Sequence, residues 1–158
     1  MGISESIKRD HDVYRRFFAK ISKTTLNDGL MREEALKEVM QNIYAHHEAE
    51  ELTIFPKMMQ ITELRGLAFE LEVEHVDMKR LFETLKTERA DTEIWKYKLI
   101  PIYDIMHTHW LKEEENLTPF GLDYFSEADW EQLGQRFDEI VHKKTKLSSL
   151  MLPLPKCR

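Results

Sequence analysis

Cysteine, glycine and proline are all scarce in this chain of 158 residues, which holds one Cys, five Gly and five Pro. The single Cys157 cannot close an internal disulfide, and there is no Cys cluster to hold a zinc, so neither a disulfide scaffold nor a thiolate metal site is open to it. So few glycines and prolines leave little material for turns, which excludes collagen-like and loop-rich folds. Positive charge is outnumbered, 23 Lys and Arg against 29 Asp and Glu, and the formal charge of −6 argues against a nucleic-acid backbone as partner. No apolar run approaches the roughly 20 residues that cross a bilayer. The polar opening MGISESIKRD also lacks the apolar core of a signal peptide, so a cytoplasmic protein with no membrane partner is expected. Gly2 and Ser6 fit a myristoylation pattern, but the acidic Glu5 and the immediate onset of a helix set it aside.

What is present is 42 % hydrophobic and 33 % charged residues, the balance of one globular domain. Apolar residues recur at steps of three and four in four long segments, and no strand alternation competes. The first runs from about Ser4 to Thr25 with Ile7, His11, Tyr14 and Phe18 on one side, and ends near the Asn27-Asp28-Gly29 turn signal. The second runs from about Met31 to Gln60 through Leu36, Val39, Ile43, His46, Glu50 and Ile54, with Pro56 bending it or beginning its end. The third, from about Glu63 to Glu88, aligns Leu64, Leu67, Leu71, His75, Met78, Phe82 and Leu85. The fourth, from about Thr92 to Leu117, aligns Trp95, Leu99, Ile102, Met106, His109 and Glu113, with Thr92 or Asp91 as cap and Pro101 as a kink.

Thr118 to Phe125 reads as a loop, after which Ser126 and Asp129 cap a fifth helix reaching about Lys146. The expected fold is all-α: an up-down-up-down four-helix bundle with an extra short C-terminal helix over residues 1–147, then an extended tail over 148–158. Any signalling output is expected to pass through a partner or a dimer. The tail residues Leu150, Met151, Leu152 and Leu154 could supply that contact, and a homo-oligomer is expected.

Four histidines, His11, His46, His75 and His109, stand where each of the four seams demands an apolar residue. Two are followed by a glutamate on the same stripe, His46 by Glu50 and His109 by Glu113, and residues four apart sit about 6 Å from one another on a helix face. One such histidine alone would usually be a neutral core residue bonded to a carbonyl. Four imidazoles and two carboxylates buried together cost several kcal/mol per ionised group without a compensating cation. Metal coordination resolves that cost. Mixed imidazole and carboxylate ligands from all four helices, with glutamates able to bridge two ions, suggest a dinuclear site. Iron fits it best, with manganese and zinc as competitors. His107 lies about 200° around the helix from His109, and His142 sits in a basic helix end; neither is assigned chemistry. Met40, Met78 and Met106 read as core, those near the histidines lining an apolar pocket for a diatomic ligand.

His11, then HHEAEELTIFP from His46 to Pro56, then Glu74-His75, then HWLKEEENLTP from His109 to Pro119, together resemble the hemerythrin-like HHE cation-binding family, over roughly residues 4 to 120. The motif H-x-x-x-E-E-x-x-x-x-P occurs twice, at 46–56 and 109–119. The resemblance implies a four-helix bundle around an oxygen-reactive, non-haem diiron centre, with His11 and His46 on one iron, His75 and His109 on the other, and Glu50 and Glu113 as bridges. The chain departs from the invertebrate oxygen carriers, where the third helix supplies a second ligand one turn after its first histidine. Lys79 stands there instead. The nearest substitute is His47, and in this the chain resembles the iron-sensing F-box subunit of a ubiquitin ligase, where the residue after the second-helix histidine also ligates. If His47 does not ligate, it is an interior-edge histidine or a proton relay. Glu51 and Glu114 are expected to be exposed or to stand behind the ligands.

Such a centre has three possible uses. A binding or sensing protein would take dioxygen or nitric oxide, or register iron and redox state; replacement of a carrier ligand by Lys79 favours sensing or storage over simple transport. An enzyme would act on peroxide, nitric oxide or ferrous iron, with His47, Tyr14 or an unassigned glutamate as proton source. A structural interaction module would hold zinc or nothing.

Overall fold

Long stretches with apolar residues at helical spacing become six helices in the computed structural model, which describes residues 1–145, the side chains of Thr118 and Leu122 excepted. These are α1 (Ile3–Ile21), α2 (Gly29–Leu52), α3 (Ile54–Met59), α4 (Thr62–Leu85), α5 (Glu93–Tyr124) and α6 (Glu127–Lys144), with a 3-10 turn at Leu26–Asp28. No strand occurs among the described residues. The expected tail over 148–158, with Cys157 and its leucines, and the domain limit at 147 lie outside them.

Four helices form a closed ring: α1 packs on α2, α2 on α4, α4 on α5, and α5 back on α1, while α6 lies over α1 and α2. Their directions follow from two separate apolar clusters. One holds Tyr14, Phe18, Ile43, Met78, Phe82, Trp95, Met106 and Trp110; the other holds Ile3, Ile7, Phe55, Leu71, Leu117 and Phe137. Along the chain α1 and α4 run from the second cluster to the first, and α2 and α5 from the first to the second, which is the up-down-up-down order. Between the clusters each helix crosses one thin polar layer, and that layer carries the histidines and glutamates of the four seams.

Two boundaries differ most from the sequence reading. The second segment does not run through to Gln60: α2 stops at Leu52, Thr53 takes φ −122° and ψ −81°, and α3 restarts at Ile54. Pro56 is the cause. Its ring collides with the carbonyl four residues back, at Leu52, and it offers no N–H to it, so the helix yields there and leaves Pro56 in the first turn of α3, where no N–H is needed. The fourth segment does not end at Leu117, since α5 continues for 32 residues through Pro101 and Pro119 to Tyr124. Residues 118–124, read as loop, are held helical by packing: Gly121 lies so close to Trp130 of α6 that a Cβ there would come within 2.5 Å of the indole. α6 starts as expected, with Ser126 Oγ accepting from the Asp129 N–H at 3.2 Å.

One end of the bundle is latched by Arg32, which is fully buried. Its guanidinium donates to Thr24 Oγ1 at 2.7 Å, to the Thr24 carbonyl at 2.9 Å and to the Ala90 carbonyl at 2.8 Å, and lies over the Trp95 ring. Both interhelix turns at that end are thereby tied to α2.

Candidate metal centre

The polar layer gathers one histidine from each long helix: His11 from α1, His46 from α2, His75 from α4 and His109 from α5, none more than 4 % exposed. Their spacing along each seam turns every imidazole inward. Two pairs of ring nitrogens meet, His11 Nε2 with His46 Nε2 at 3.1 Å and His75 Nε2 with His109 Nε2 at 3.2 Å. Glu50 and Glu113, both fully buried, lie between the pairs. Glu50 places Oε1 3.3 Å from His46 Nε2 and Oε2 3.4 Å from His75 Nε2. Glu113 places Oε1 3.3 Å from His109 Nε2 and Oε2 3.2 Å from His11 Nε2. Each carboxylate therefore spans both pairs.

A second rank of carboxylates stands behind the histidines. Nδ1 of His11 meets Glu114 at 2.9 Å, that of His46 meets Asp10 at 3.2 Å, that of His75 meets Glu51 at 2.8 Å, and that of His109 meets Glu74 at 2.7 Å. Each outer acid is the sequence neighbour of an inner residue on the adjacent helix: Asp10 adjoins His11, Glu51 adjoins Glu50, Glu74 adjoins His75, and Glu114 adjoins Glu113. The pairing thus circles the bundle, α5 to α1 to α2 to α4 to α5. Glu51 and Glu114 stand behind the ligand candidates as expected. The roles of Asp10 and Glu74 were not read from the sequence, where each shows only as an acid beside a histidine.

An ionised carboxylate can only accept, so each Nδ1 carries the hydrogen and each neutral ring points an Nε2 lone pair inward. Two lone pairs 3.1 Å apart repel, and apart from these ring nitrogens no donor reaches either oxygen of Glu50 or Glu113. Inward lone pairs and orphaned buried carboxylates together are the donor set of a cation site. Without a cation, protons take its place. Burial disfavours charge on His46, yet Glu50 and Asp10 beside it lift the ring to about 10. His109 rises against the same burial to about 9 through Glu113 and Glu74. Glu113 is held well below the usual carboxylate range, its burial outweighed by His109 and His11.

All seven residues singled out in the sequence come together here. His11, His46, Glu50 and Glu113 form one group of converging donor atoms; Glu50, His75, His109 and Glu113 form a second; His47 joins His75 and His109 in a third, each within 4.8 Å. His47 stacks flat on His75, 3.7 Å between centroids, and its Nε2 has no partner. Burial first, and then the neighbouring imidazoles, push its pKa well below normal, so it stays neutral. Lys79 is exposed and rests over the Tyr44 ring, away from the layer. His107 stacks on Tyr103 and joins none of these groups. His142 donates to the Asp138 carbonyl on the exposed side of α6.

Aromatic rings flank the layer. Trp110 stacks on His11 at 5.5 Å, Phe137 of α6 meets His46 edge-on at 5.1 Å, and Phe55 of α3 covers His75 at 5.3 Å. Tyr14 gives its hydroxyl to the Asn42 carbonyl at 3.2 Å and burial raises its pKa well above normal, so it holds its proton. Met40, Met78 and Met106 lie in the first apolar cluster, the one that contains Tyr14 and Trp110.

Residues 2–120 match the family model for the hemerythrin HHE cation binding domain. The chain is also 27 % identical over 137 residues to a protein named DNA nickase from Nostoc sp. (strain PCC 7120 / SAG 25.82 / UTEX 2576), a match covering 87 % of this chain and 38 % of that protein. The chain therefore spans less than half the length of that relative. No solved structure matches it. No helix among the described residues is long and apolar enough to cross a membrane.

Proposed function

The chain belongs to the hemerythrin HHE cation binding domain family, and from that premise we propose that its polar layer holds two non-haem iron ions and uses them to bind or sense dioxygen, nitric oxide, or iron and redox state. His11 and His46 would hold one ion, His75, His109 and His47 the other, with Glu50 and Glu113 shared between them. The observation that carries this reading is that each buried glutamate directs its two oxygens to histidines of different helices, at 3.2–3.4 Å. A structural site for one ion would need only four such donors, and two carboxylates with four inward imidazoles offer twice that. Manganese and zinc are the competing occupants.

A pair of irons would supply one electron from each to a diatomic ligand. The chain's own residues govern orientation, water and protons around it. The outer acids fix each ring with Nε2 inward, and Trp110, Phe137 and Phe55 keep bulk water from the layer. Tyr14, committed to Asn42 and holding its proton, is a poor proton donor to bound ligand, which favours binding over turnover. His47, with an unpartnered nitrogen, supports the second reading, an enzyme acting on peroxide, nitric oxide or ferrous iron. The relative's name concerns DNA, but a formal charge of −6 argues against a phosphate backbone as partner of this chain, and no nucleic-acid partner or membrane is part of the reading. A cytoplasmic setting, in which the chain forms a homo-oligomer, completes it.

Elemental analysis of anaerobically purified protein tests the proposal, with a His46→Ala, His109→Ala double variant as comparison. About two irons per chain, lost in the variant, support it. One zinc, or iron retained by the variant, overturns it.

A further inference from the structure

The four outer acids are not alike. Asp10 is paired with Arg9 at 2.9 Å, Glu114 with Arg15 at 2.8 Å, and Glu74 with Lys112. Glu51 has no Lys or Arg within ion-pair distance among the described residues. It is also the most exposed of the four side chains, at 41 % against 28 % for Glu74, 16 % for Glu114 and 1 % for Asp10. On three sides, then, a fixed positive charge stands at the outer acid and repels an approaching cation. On the fourth a bare carboxylate faces solvent, in the last turn of α2, where the negative end of the helix dipole adds to its pull. Behind it lie His75, bonded to Glu51, and His47, 5 % exposed, with an unpartnered nitrogen among the donors of His75 and His109. The break at Thr53, two residues on, frees this end of α2 from a continuous helical ladder.

We propose that Glu51 and His47 form the port through which cations enter and leave the centre. Glu51 captures the ion at the surface, and His47 receives it beside His75 before it settles among the inner donors. The port rests on the reading of the layer as a metal centre, and it gives Glu51 and His47 roles in exchange as well as in holding.

Stopped-flow uptake of cobalt(II) by the metal-free chain, and its release into excess chelator, test the port. In Glu51→Gln the amide oxygen can still accept from His75 while the charge is gone. Leu52→Lys, at a 60 % exposed site beside Glu51, places at this mouth the cation that the other three possess. Leu30→Lys, exposed at the start of α2, is the control. Both port variants are expected to slow uptake by about three- to tenfold, the range in which a local charge alters association rates. In Leu52→Lys release slows with it, leaving the dissociation constant and final stoichiometry near wild type, whereas Glu51→Gln, which also loosens the hold on His75, is read by its uptake rate. The control should match wild type. Unchanged rates in both port variants overturn the proposal, as does faster release with unchanged uptake, which marks Glu51 as a holding residue only. Wild-type chain that binds fewer than two cobalt ions overturns the dinuclear reading, while the rates of whatever cobalt binds still decide the port.

Discussion

The imidazoles of His47 and His75 lie face to face, 3.7 Å between centroids and 6° between planes. Consecutive residues on a helix point about 100° apart, so His46 and His47 cannot both face the same partner. His46 instead meets His11, and His47 turns toward α4. Two stacked imidazoles are stable only while they do not both carry charge, and burial keeps His47 neutral, with its lone pair available.

His47→Ala is therefore expected to weaken one of the two metal equivalents by about 10- to 100-fold and leave the other intact, a change visible as a split titration curve. Equal affinity for both equivalents in the variant would show that His47 takes no part in binding.

Glu113→Gln and Glu50→Gln each remove a charge shared by both groups of donors. Each is expected to reduce the metal content from about two per chain to one or less, while the far-ultraviolet circular dichroism remains helical. Retention of two metals in either variant would separate that glutamate from a bridging role.

The metal-free chain carries a pH signature. His46 at about 10 and His109 at about 9 both lie above the ~6.5 of an unfolded histidine, so the folded state binds their protons more tightly. That contribution to stability is full below ~6.5 and is lost as pH rises through 9 to 10. Thermal melts should show Tm of the metal-free protein falling by several degrees from about pH 7 to pH 10, and Tm of the metal-loaded protein changing far less. A metal-free Tm that stays level or rises over this window contradicts the placement of those protons.

Arg32→Met should separate structure from site. It strands the carbonyls of Thr24 and Ala90 and removes the guanidinium over Trp95, and a loss of about 2–4 kcal/mol is expected by denaturant unfolding, with metal stoichiometry unchanged. A change in stoichiometry would show that the latch acts on the polar layer as well.

The polar layer was legible in the sequence because burial on a helix is periodic. His11, His46, His75 and His109 each replace an expected apolar residue, and that misfit survives without any knowledge of the neighbours. The two helix ends were less legible. Pro56 announces a break but not that the chain yields at Thr53, because the clash falls four residues upstream. Pro119 announces a stop that never comes, since Trp130 holds Gly121 in place through a contact no local pattern encodes. The outer acids were hidden for a third reason. Asp10 and Glu74 sit beside histidines that they do not serve, and only the order of helices around the bundle shows which ring each one meets.

That circular arrangement has a mechanical consequence. Each of the four ring helices both gives an acid to one neighbour and takes one from another, so sliding any of them along its axis breaks two links at once. One helical turn is about 5.4 Å, well beyond hydrogen-bond reach, so no neighbouring register can satisfy the set. The apolar clusters above and below define that height less sharply, since apolar attraction is non-directional and ties no side chain to a single partner atom. Four acid–imidazole bonds in one thin plane act as the index mark from which the height of every other side chain in the bundle is measured.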